Sequence, residues 1–128
     1  MYFINKSKKN INEGMIIMTV NIYIPIIFII IGFLLKKYPP KHRNYILGYK
    51  SPIFMKNKDA WYEGNRFFGK TIMYGGIIGV ILYFLVPKTL IIEDSFQIVY
   101  GLITLISIIF TEIHLFRLFI DKPLSKKY

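Results

Sequence analysis

Three stretches of the chain are apolar almost without interruption, and the polar residues gather between them. Residues 15–35 carry no charged side chain, and about 21 such residues make a helix of roughly 30 Å, the thickness of a bilayer's hydrocarbon. Pro25 lies inside this run; a helix bundle in lipid tolerates it as a kink. Lys36, Lys37, Tyr38, Pro39 and Pro40 then end the segment. A second run covers 71–86 and stops at Pro87; Phe67, Phe68 and Gly69 lengthen it to a span of about 68–87 if Lys70 snorkels toward the headgroups. A third covers about 96–117, with Asp94 or Ser95 available as its N-cap. The pattern predicts an all-α integral membrane bundle of three transmembrane helices, one domain over 1–128. A signal peptide is the competing reading of the first run, but the run is long for one and no small-residue cleavage site follows it.

Composition agrees with that pattern. Hydrophobic residues make up 54% of the chain and its net charge is +10, with a mean hydropathy of +0.44. A soluble domain of this size cannot hide so much apolar surface, whereas a membrane protein keeps it in lipid and its charges outside. A basic balance also suits nucleic acid, but the long apolar runs make the lipid bilayer the expected acidic partner, with no direct nucleic-acid contact. There is no cysteine, and the two histidines, His42 and His114, lie far apart in the chain. Neither a metal site nor a cofactor is expected. No arrangement of residues suggests a nucleophile or a general acid–base pair, so an enzyme is not expected either.

Charge orients the bundle. The long loop 36–67 and its junction with span two hold Lys36, Lys37, Lys41, Arg43, Lys50, Lys56, Lys58, Arg66 and Lys70, and the tail adds Arg117, Lys122, Lys126 and Lys127. The loop between spans two and three holds Lys88, Glu93 and Asp94. The positive-inside rule therefore places the long loop and the C-terminus in the cytoplasm and the N-terminus outside. Lys6, Lys8 and Lys9 run against this. Richness in Ile, Lys, Asn and Tyr suggests an AT-rich gene, in which Glu13-Gly14 is encoded by a purine-rich stretch like a ribosome-binding site. Translation from Met18 is the expectation, with Met1 and Met15 as the other starts.

The long loop carries the chain's most distinctive residues. Its first half, around Asn44 and Gly48-Tyr49-Lys50-Ser51-Pro52, is turn-forming: Gly48 permits a positive φ and Pro52 biases Ser51 toward extended backbone. Its second half reads as an amphipathic helix capped by Asn57. Trp61, Asn65 and Phe68 share one face, and Asp59, Glu63, Arg66 and Lys70 the other. Such a helix lies in the interface and feeds directly into span two. On periodicity alone it anchors the hairpin, with Trp61 as a headgroup-level aromatic.

The order Asn44, Gly48-Tyr49-Lys50-Ser51, Trp61, Asn65 resembles the signature of the SdpI family of bacterial immunity proteins: an Asn, a Gly-Tyr-Arg-Thr core, then a Trp followed by an Asn, set between two spans. The flanking spans match the family's C-terminal three-helix unit in number and placement. Lys50 stands where Arg is usual and Ser51 where Thr is usual; Lys keeps the charge but not the bidentate fork. The resemblance implies a multi-pass protein of the bacterial cell membrane that protects its producer from a secreted toxic peptide, the partner being that peptide. It also implies a role in holding a cytoplasmic transcriptional repressor at the membrane.

Two further features invite alternatives. Gly75 and Gly79 form a GxxxG pair in span two, which serves either packing against span one or three or a homo-oligomer contact. Glu112, near the cytoplasmic end of span three, is expected to face the bundle and to pair with Lys50, Arg43 or Lys70. It either joins Asn44, Lys50 and Asn65 in a polar site or closes the bundle with one ion pair. His114 reads as an interfacial side chain before a proton shuttle. A small lipid-handling or transport protein, using the Asn/Lys/Glu cluster on an anionic headgroup, and a structural subunit of a membrane complex are the alternatives to immunity.

Overall fold

A computed structural model describes residues 1–42, 46, 48–52, 55–87 and 95–121. Among these the secondary structure is entirely helical: α1 (Tyr2–Lys37), α2 (Lys58–Leu85) and α3 (Ser95–Phe116), the last continued by a π-helical turn, Arg117–Asp121. All three helices are long and apolar enough to cross a membrane. Arg43, Asn44, Lys88, Glu93, Asp94 and the basic tail from Lys122 lie outside the described residues, and the expected cap at Asp94 with them.

The helix ends follow local chemistry. α1 closes with Lys36 and Lys37 in its last turn, where cations complement the helix dipole, and Pro39 and Pro40 prevent its continuation. At its start it runs well beyond the expected span, for 36 residues. Charge marks where a chain leaves lipid, and nothing in 2–14 breaks a helix; Lys9 and Glu13 even pair at 3.9 Å across one turn. α2 opens on Asn57, whose side chain accepts from the N–H groups of Asp59 at 2.9 Å and Ala60 at 3.3 Å. It ends at Leu85, with Val86 as its C-cap just before Pro87. The amphipathic stretch is continuous with the span: it forms the first three turns of α2. Trp61 accordingly is buried, not a lipid-facing anchor, because those turns pack on the end of α1 and on α3.

α1 and α2 are antiparallel and meet through glycine. A Cβ at Gly32 would lie 2.6 Å from the Gly69 carbonyl oxygen, and one at Gly69 would lie 2.6 Å from the Lys36 nitrogen. Gly76 meets the Pro25 carbonyl and Ile29 in the same way. Backbones this close gain the dispersion contacts that hold helices together in lipid, where no hydrophobic force distinguishes a helix face from its surroundings. α3 closes the bundle chiefly against α2: Gly75 receives Ile103, and Gly79 receives both the Pro25 ring and the edge of Tyr100. The GxxxG pair thus packs inside the bundle.

Pro25 fixes the joint of all three helices. Lacking an N–H, it leaves the carbonyl of Asn21, four residues earlier, without its helical partner. The Tyr100 hydroxyl of α3 donates to that carbonyl at 2.6 Å, and Gly79 is the small residue that lets the Tyr100 ring reach it. In hydrocarbon, with no water to replace the missing donor, an unpaired carbonyl is costly.

Candidate functional site

The loop before α2 folds back onto one end of the bundle, and Asn65 is what receives it. Asn65 is wholly buried on the third turn of α2. Its Oδ1 accepts the Tyr49 N–H at 2.6 Å, while its Nδ2 donates to the Trp61 carbonyl at 2.8 Å and more weakly to the Tyr49 carbonyl at 3.4 Å. One amide therefore satisfies both backbone groups of a loop residue, a strand-like pairing made by a side chain. Gly48 makes it possible. Its φ is +104°, a region L side chains rarely enter, and a Cβ there would collide with Asn65 Oδ1.

Around this contact the loop is packed closely. The Tyr49 ring stacks on Phe68 with centroids 4.9 Å apart and 22° between planes, and its hydroxyl donates to the Glu112 carboxylate of α3. Trp61 donates through Nε1 to the Pro40 carbonyl at 2.8 Å, pinning the end of the α1 connection. Ala60 and Leu115 form the fully buried centre. Ser51 is buried and its carbonyl accepts from Met55 N–H at 3.0 Å, while its hydroxyl has no partner among the described residues. The space left between these side chains is about 10 Å³, room for one water at most. Among the described residues the arrangement is a latch holding a loop.

The latch has electrostatic consequences. Burial, then the hydrogen bond to Glu112 and its charge, hold the Tyr49 phenol well above its ordinary pKa, so Tyr49 remains a donor throughout the physiological range. Beside it, His114 Nε2 lies 3.0 Å from Glu63 Oε1, and the imidazole stacks on Phe67 at 3.8 Å and 8°. Arg66 Nη1 approaches the same carboxylate at 3.8 Å.

Of the residues singled out in the sequence, the structure brings Gly48, Tyr49, Ser51, Trp61, Asn65 and Glu112 to one end of the bundle. Lys50 is exposed beside them, and Asn44 lies outside the described residues. Glu112 accepts a hydrogen bond from the Tyr49 hydroxyl, a neutral donor that a reading by charge does not name; of the cations expected near it, Arg43 is not among the described residues. Glu63 differs from expectation too. It is half-buried and turned toward His114, and its four-residue spacing from Phe67, which places both on one face of α2, is the signal that identifies it.

Three membrane-length helices with a loop latched across one end define a small helical membrane protein, and similarity places it more narrowly. Residues 41–113 match the model of the SdpI/YfhL protein family. A stretch of 52 residues is 33% identical to the uncharacterized protein YfhL of Bacillus subtilis (strain 168), covering 41% of this chain and 47% of that protein. The chain thus aligns with about half the length of that relative. No solved structure matches. The chain belongs to the SdpI/YfhL family, and Gly48, Tyr49, Trp61, Asn65 and Glu112 lie within the matched region.

Proposed function

We propose that this protein is an immunity factor of the cell membrane, protecting its producer from a secreted toxic peptide without enzymatic chemistry. In this reading the N-terminus lies outside, and the latched loop and the C-terminus lie in the cytoplasm. There the loop also retains a transcriptional repressor when toxin is present. The observation that carries the proposal is the family match together with the docked Gly48-Tyr49-Lys50-Ser51 segment: of the residues that resemble the SdpI signature, Gly48, Tyr49, Trp61 and Asn65 meet at the bundle end. A loop so held presents a fixed surface, with Lys50 exposed. Fixing a binding surface in advance lowers the entropy lost when a partner docks.

The test is survival. The chain is expressed in a sensitive strain lacking its own immunity gene and challenged with secreted bacteriocin-like peptides from the same or a related organism. Lys50→Ala and Glu112→Ala variants of matched membrane abundance run beside it. The proposal expects protection by the wild type and its loss in the variants. Well-expressed wild type that protects against none of a panel of such peptides contradicts it.

A further inference from the structure

The close approach of α1 and α2 has a consequence for charge. Because Gly69 meets the backbone of Lys36, Lys36 stands level with the turn of α2 that carries Arg66 and Lys70. Helical geometry places Arg66 and Lys70 roughly 60° and 100° around α2 from Gly69, whereas Gly64 and Gly75 lie roughly 120–140° around in the opposite sense. Those two glycines face Leu115 and Ile103 of α3. Arg66 and Lys70 therefore flank α1 on the side of the helix pair turned away from α3, and all three cations are exposed. Lys37 is drawn elsewhere, its ammonium lying over the Phe33 and Tyr38 rings at 5.6 and 5.3 Å.

The acidic residues of this end do little to neutralise the trio. Glu112 is engaged by Tyr49. Glu63 is shared between His114 at 3.0 Å and Arg66 at 3.8 Å, Asp59 lies two turns further toward the start of α2, and Asp121 ends the π-helical turn that follows α3. Among the described residues neither Lys36 nor Lys70 has a carboxylate partner. Immediately beyond Lys70 the apolar run begins with Thr71 and Ile72, so the cations stand where hydrocarbon gives way to headgroups.

We infer that Lys36, Arg66 and Lys70 form a site for the phosphodiester of an anionic phospholipid, whose acyl chains lie along the α1–α2 face. Two cations from different helices, held at one level by a glycine contact, converge on a single phosphate, and Arg66 adds planar donors suited to its oxygens. The adjoining apolar helix surface selects a lipid over a soluble phosphate. This site is separate from the latch and independent of any immunity role.

The full chain, purified in neutral detergent, is titrated with phosphatidylglycerol, phosphatidylcholine and glycerol phosphate, and bound lipid is counted by native mass spectrometry. Phosphatidylglycerol should bind at least about tenfold more tightly than phosphatidylcholine, and Lys36→Gln/Lys70→Gln should abolish that preference. Lys56→Gln/Lys58→Gln, which removes the same charge from the loop and the start of α2, should retain it. Equal binding of the two lipids, an equal loss in the control variant, or full competition by glycerol phosphate would each overturn the assignment.

Discussion

Asn65 and Tyr49 are joined through backbone and side chain together: one buried amide accepts the Tyr49 N–H at 2.6 Å and reaches its carbonyl at 3.4 Å. The pairing spans sixteen residues and makes a turn-rich loop part of the bundle. Asn65→Ala leaves the part-buried Tyr49 N–H without its partner, at a cost of about 1–3 kcal/mol. The measurement is thermal unfolding in lipid nanodiscs, where the variant should melt clearly below wild type. Gly48→Ala should do comparable harm by a different route, since it meets both the positive φ and Asn65. An unchanged melting temperature in both would show that the loop is not held by this pair.

Tyr49 also gives the fold an alkaline edge. Its phenol is held above the ordinary value of 10.0 in the folded chain, so on raising the pH the unfolded chain loses this proton first. The group's contribution is therefore complete below about pH 10 and declines as pH rises toward the folded value. Tyr49→Phe, which cannot ionise, lacks that decline. Its stability deficit relative to wild type should be constant from pH 8 to 9.5 and should shrink above pH 10. Parallel melting curves up to pH 11 would contradict the assignment.

The Asn21–Pro25–Tyr100 joint makes a double-mutant prediction. Tyr100→Phe removes the donor from a carbonyl that Pro25 has orphaned, and it should destabilise by about 1–3 kcal/mol. In a Pro25→Ala background the helix supplies its own N–H at position 25, so the same Tyr100→Phe change should cost markedly less. The coupling is read from the four melting curves. Additive effects would mean that the hydroxyl serves some other purpose.

Glycine positions separate packing inside the bundle from contacts outside it. Gly69→Leu and Gly79→Leu place side chains against the α1 backbone and against Pro25 and Tyr100, respectively, and both should abolish a folded monomer in detergent. Gly101 has open space around it, so Gly101→Leu should fold normally. Size-exclusion profiles with circular dichroism distinguish these outcomes, and a well-folded Gly69→Leu would refute the close α1–α2 packing.

The spans were legible because lipid imposes one requirement that sequence states openly: about 20 apolar residues in a row. Asn57 as a cap, the turn at Gly48 and the shared face of Trp61 and Asn65 were legible through local chemistry; that this face is buried was not, because periodicity does not say what a face packs against. What stayed hidden was pairing between distant positions. Pro25 signals that the Asn21 carbonyl needs a donor, yet nothing in the spacing singles out Tyr100, seventy-nine residues on. Glu112 drew attention by its charge, and its hydrogen bond from the Tyr49 phenol, sixty-three residues away, could not be read from spacing. Gly75 and Gly79 stood out as a motif, while Gly32, Gly69 and Gly76, which carry the closest backbone contacts, did not form one.

The most direct test of the docked loop is amide hydrogen exchange of the full chain in nanodiscs, followed residue by residue by NMR. The Tyr49 amide should exchange slowly in wild type and fast in Asn65→Ala, while amides in the middle of α2, such as Ile72 and Gly76, stay protected in both. Fast exchange at Tyr49 in the wild-type protein would contradict it.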